Sequence, residues 1–106
     1  MKYRVNISRE VHRAIDAQIG YLLGQGAPRD RVDDWQIRLY DLMDSLAEMP
    51  RRFPVAELPS EELGYEVRRV NLEDYALFYR VDDAGGEVEF VVFRHGRRRP
   101  WLETDD

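Results

Sequence analysis

The run Tyr75-Ala76-Leu77-Phe78-Tyr79-Arg80-Val81 is apolar on both of its alternating faces until Arg80. Such a strand belongs in the middle of a sheet, with neighbours on both edges and cover on both sides. A chain of 106 residues has room for one core only. Everything else in the sequence must therefore supply the neighbours and the cover, and one domain over residues 1–106 is predicted.

The neighbours are legible as period-two segments. Tyr65 to Leu72 precedes the central run and Glu87 to Arg94 follows it. Asp82-Asp83-Ala84-Gly85-Gly86 between the last two strands holds residues that tolerate positive φ, as a hairpin turn needs. A further strand is predicted from Tyr3 to Ser8, where Tyr3, Val5 and Ile7 alternate with Lys2, Arg4 and Asn6. The cover is helical. Ser8 is placed to cap a helix whose apolar positions fall at Val11, Ala14, Ile15, Ile19, Leu22 and Leu23, ending near Gly24 to Gly26. Pro28 suits the first turn of a second helix, striped by Val32, Trp35, Leu39, Leu42, Met43, Leu46 and Met49. Pro50, Pro54 and Pro59 then predict a loop without regular structure, pinned by Phe53, Val55 and Leu58. The expected fold is α+β, ordered β-α-α-β-β-β. A helical hairpin packs on a small antiparallel-dominated sheet, which the first strand joins at an unspecified edge.

Composition removes several functions. There is no cysteine, so disulfides, thiolate metal sites and cysteine nucleophiles are excluded together, and a reducing cytoplasm is the expected compartment. No stretch of 18 apolar residues and no secretory leader can be read, so no membrane role is expected. Asp30, Asp33 and Asp34, like Glu57, Glu61 and Glu62, lack a nearby histidine, and acids at a helix start serve the helix dipole; no metal is expected. Ser8, Ser45 and Ser60 have no adjacent histidine in sequence, and Gly85-Gly86 is a turn and not a phosphate loop. No cofactor is expected. A net charge of −5 opposes a general affinity for phosphate backbones, so any nucleic-acid contact must come from a local patch.

That patch is Arg94, Arg97, Arg98 and Arg99. Two readings stay open for it. It is a solvated strand end paired with Glu103, Asp105 and Asp106, or it is a contact surface, since arginine suits bidentate carboxylate and phosphate pairing. Trp101 either anchors a partner or folds back over the sheet. His95 is read first as a strand-end residue with local hydrogen bonds and second as an acid–base group. His12 is read as a helix-surface residue.

The layout, the helix end Leu46-Ala47-Glu48-Met49-Pro50, the Tyr75 to Val81 strand before an acidic-glycine turn, and Val91-Val92-Phe93-Arg94-His95-Gly96-Arg97-Arg98 together resemble the RelE/ParE toxins, and the ParE branch in particular. The resemblance implies the toxin of a type II toxin–antitoxin (plasmid stabilisation) system, neutralised by a cognate antitoxin that is ParD-like or similar. RelE-like members cut mRNA on the ribosome without metal, whereas ParE-like members poison DNA gyrase and arrest growth. Carried over position by position, the ribonuclease groups fall on Glu66, Arg68, Ala76 and Arg97, and no tyrosine follows Arg99. One acid, one alanine and a missing phenol leave that chemistry short of groups. The expected activity is thus gyrase inhibition by binding, with Arg94, Arg97, Arg98, Arg99 and Trp101 as target- or antitoxin-contacting residues. The alternatives are an mRNA endonuclease using Arg97, Arg98 and His95, or a protein of this fold that only binds its antitoxin. A homodimer, or a heterotetramer with antitoxin, is compatible with either.

Overall fold

A computed structural model describes residues 2–95. Strand β1 (Arg4–Ile7) leads into helix α1 (Arg9–Gly24) and helix α2 (Arg29–Ser45). After a 3-10 turn at Pro50–Arg52 and a short helix α3 (Glu57–Leu63) come β2 (Arg68–Leu72), β3 (Tyr75–Asp82) and β4 (Glu87–His95). The sheet order is β1-β4-β3-β2, with β3 central in packing as the apolar run requires. Strands β2, β3 and β4 form an antiparallel meander. The edge taken by β1 is the one beside β4, in parallel, with Val5 opposite Val88. Only a long crossover can join parallel neighbours, and the helical hairpin and its sequel provide it.

The helices form where the sequence predicts, for identifiable reasons. The Ser8 side chain accepts a hydrogen bond from the Val11 amide and so caps α1. Gly26, at φ 87°, lets the chain leave it. Pro28 stands at the cap position of α2 and not inside its first turn. Helix α2 stops four residues short of the predicted Met49, which is 73% exposed and left-handed at φ 51°.

Two expectations need correction. The segment predicted as an irregular loop contains α3, and Pro59 is its third residue. A proline in the first helical turn removes an amide that has no helical partner anyway, so the ring is tolerated there. The strand predicted from Tyr65 begins at Arg68, because Gly64 ends α3 in the left-handed region and Val67 hydrogen-bonds back to Ala56 and Ser60.

The core lies between the helical hairpin and one face of the sheet. Val11, Ile15, Trp35, Leu39 and Met43 meet Val70, Leu77, Tyr79, Val88 and Phe90, all buried. A bulge beside Phe78 and Tyr79 shifts the register of β3 against β4. Phe90 and Phe93, three residues apart, consequently both reach the helix side, while Val91 and Val92 both belong to the other face.

Candidate functional site

The bulge decides which way the end of β4 points. Beyond it Arg94 pairs with Ala76 and His95 with Tyr75. Side chains of paired residues share a face. Arg94 therefore lies on the far side of the sheet with Ala76, and His95 on the helix side with Tyr75.

On the far side, α3 and the strand-like stretch before it cover only part of the sheet. The stretch is held by main-chain bonds: the Arg69 amide donates to Pro54, the Ala56 amide to Val67, and Val55 forms an isolated bridge with Arg68. Ser60 fastens the helix, donating to the Ala56 carbonyl at 2.6 Å and accepting from the Val67 amide at 2.8 Å. The Arg68 guanidinium donates to the carbonyls of Phe53 (2.7 Å) and Arg51 (3.1 Å), tying the loop down from the helix side of β2.

Among the described residues, these elements leave beside them a groove of about 350 Å³. Its floor is Ala76 and Phe78, one wall runs from Pro54 to Pro59, and Arg69 and Arg94 stand on the other. The Arg69 guanidinium lies 5.7 Å from the centroid of the Phe78 ring, and its Nε donates to Asn71 Oδ1 at 2.9 Å. Val55 and Leu58 on the rim are each 38% exposed. The groove thus combines an apolar floor with two cations, and among the described residues Glu57 is the carboxylate in its lining. Such a surface can hold an apolar side chain and an anion together. Among the described residues no histidine, tyrosine or lysine lines it.

On the helix side, His95 meets the Tyr75 ring edge-on at 5.0 Å between centroids, and Tyr75 stacks on Phe93. Tyr75 accepts a hydrogen bond from Gln18 Nε2 at 2.8 Å, and burial raises its pKa. His12 Nδ1 lies 3.0 Å from the Tyr40 hydroxyl on the outside of the hairpin. Trp35 Nε1 is buried without a hydrogen-bond partner, within the same aromatic group as Tyr75 and Phe93.

Of the residues singled out in the sequence, Arg94 lines the groove, and His95 points to the opposite face. Arg97, Arg98, Arg99 and Trp101 lie outside the described residues. Two of the four carried-over ribonuclease positions also diverge: Arg68 reaches loop carbonyls from the helix side, and Ala76 is groove floor. Sequence reasoning missed Arg69 and Phe78 as groove residues. Their opposition across β2 and β3 is a register fact, and neighbours along the chain carry no sign of it. Among the described residues no three histidine, aspartate or glutamate side chains are grouped to hold a metal ion, and no helix is long and apolar enough to cross a membrane.

The described residues thus form a helical hairpin on one face of a four-stranded sheet and a cation-flanked apolar groove on the other. The family of the ParE toxin of the type II toxin–antitoxin system parDE matches residues 5–100, nearly the whole chain. The protein belongs to this family, and so to the toxins of type II toxin–antitoxin systems. No curated protein matches it.

Proposed function

We propose that this toxin acts by binding DNA gyrase, and that a cognate antitoxin, ParD-like or similar, holds it inactive. The observation that carries the reading is the groove floor. Where metal-free ribonuclease chemistry needs a cation facing the phosphate, the residue is Ala76 beside Phe78, and among the described residues no group suited to proton transfer near neutrality lines the cavity. Arg94, with Arg97, Arg98, Arg99 and Trp101 following it in sequence, supplies contacts to target or antitoxin. The site of action is the cytoplasm, where gyrase and a newly made antitoxin are both met.

The test is plasmid topology in a bacterial host after inducing the chain without its antitoxin. Relaxed or cleaved plasmid accompanying growth arrest supports gyrase as the target. Growth arrest with unchanged topology and cut ribosomal mRNA overturns it in favour of the endonuclease. Normal growth leaves a protein that binds an antitoxin and poisons nothing.

A further inference from the structure

The two long helices turn charged stripes to solvent, and the charges stand at ends that do not suit them. On α1 the exposed residues Arg9, Arg13, Ala17, Gly20 and Gly24 follow at helical spacing and share one face. On α2 the exposed Asp30, Asp34, Ile37, Asp41 and Asp44 do the same. Arg9 opens α1, where the helix dipole disfavours a cation, and Arg13 one turn on adds like-charge repulsion. Asp44 stands in the last turn of α2, where the dipole disfavours an anion. Among the described residues Arg9, Arg13, Asp41 and Asp44 take part in no ion pair. Ile37, midway along the acidic stripe, is 60% exposed. Gly20 weakens a helix interior, yet a Cβ added there would meet no atom within 4 Å, so packing inside the chain does not require it.

We propose that the two outer faces make one self-complementary surface, whose occupant is a second copy of this chain. The contact of His12 with Tyr40 sets the height of α1 against α2, which brings Arg9 near the level of Asp44 and Arg13 near that of Asp41. A two-fold axis parallel to the helices, between two stacked hairpins, lays α1 of each copy antiparallel on α2 of the other at these same levels. Arg9 and Arg13 then face Asp44 and Asp41 of the second copy, twice over, and Ile37 reaches the low ground around Ala17 and Gly20. A partner of one sign fits worse: a basic segment suits α2 but is repelled by Arg9 and Arg13, and an acidic one the reverse. With 16 residues in α1, the face is about 24 Å long and two helices, or about 20 Å, wide. Two such faces bury about 1,000 Å² in all, at the lower end for a specific interface, so the dimer is weak, micromolar and sensitive to salt. It does not depend on which target the toxin meets.

The experiment is sedimentation velocity of the purified full chain over a range of concentrations, at low and at high salt. Four proteins are compared: the wild type, Ile37→Asp, Arg13→Glu, and Arg13→Glu combined with Asp41→Arg, each shown to be folded by its unfolding midpoint. The wild type should dimerise, and high salt should raise its dissociation constant by about tenfold or more. Ile37→Asp and Arg13→Glu should each weaken the dimer by about tenfold or more, and the combined charge exchange should restore association lost in Arg13→Glu alone. A wild type that stays monomeric at every concentration overturns the proposal. So does a dimer that none of the substitutions weakens, which places self-association on another surface. A monomer whose binding to the product of the adjacent reading frame is weakened by Ile37→Asp gives this face to the antitoxin and overturns it equally.

Discussion

The two faces of this four-stranded sheet are closed in different ways. Toward the helices, Leu77, Tyr79, Val88 and Phe90 are wholly buried, and Tyr79 and Phe90 pack ring against ring at 5.3 Å. Away from them, Val67, Ala76 and Phe78 form a small cluster under α3, and the cover gives out over the groove. A face that two helices close contributes to stability and can do little else. The other face is covered, among the described residues, by a seven-residue helix and the stretch before it, and it buries a smaller apolar cluster.

The largest effect should come from the closed face. Phe90→Ala empties a fully buried site and should cost about 3–5 kcal/mol in denaturant unfolding. A cost near that of a surface substitution would break the distinction between the faces.

Tyr79 provides the next. Its hydroxyl donates to the Pro50 carbonyl at 2.6 Å, and burial pushes its pKa up to about 12. A raised tyrosine contributes stability that is fully present below its usual value and is lost as pH rises toward the raised one. Unfolding followed between pH ~10 and ~12 should therefore show a loss of about 2–3 kcal/mol in the wild type. Tyr79→Phe, weaker at neutral pH by about 1 kcal/mol, should lack that slope.

The open face should respond in the opposite way. Leu58→Ala should shift unfolding free energy by no more than about 0.5 kcal/mol. Smallest of all is the exposed contact of Asp83 with Arg51 and Tyr3, which pins the β3–β4 turn to the 3-10 turn after α2 and to the segment before β1. The Arg51 guanidinium first, then the Tyr3 hydroxyl, holds the Asp83 carboxyl below its usual range. Its contribution is present above the ordinary carboxylate value and lost as pH falls through the lowered one. The difference in thermal midpoint between wild type and Asp83→Asn should shrink in acid, and a difference that persists there would assign it to something other than the charge.

The closed face was largely legible in the sequence, because helical stripes and the Tyr75 to Val81 run report burial directly. The open face was not. Pro54 and Pro59 masked α3, since a proline signals a break whether it ends a helix or sits in its first turn. Strict alternation along β4 from Phe90 would have sent Arg94 toward the helices. The bulge reverses this, and it arises from pairing with β3, which one strand's sequence does not encode. Arg69 escaped notice for the same reason: it gains meaning only opposite Phe78. Arg94 was found because charge clustering is visible along the chain.

The central claim is action by binding, and a gyrase supercoiling reaction titrated with the purified toxin tests it most directly. Supercoiling should fall as toxin is added, recover on addition of the antitoxin, and leave mRNA in a translating extract uncut. Undiminished supercoiling at excess toxin, together with cleavage of ribosome-bound mRNA, would contradict the account.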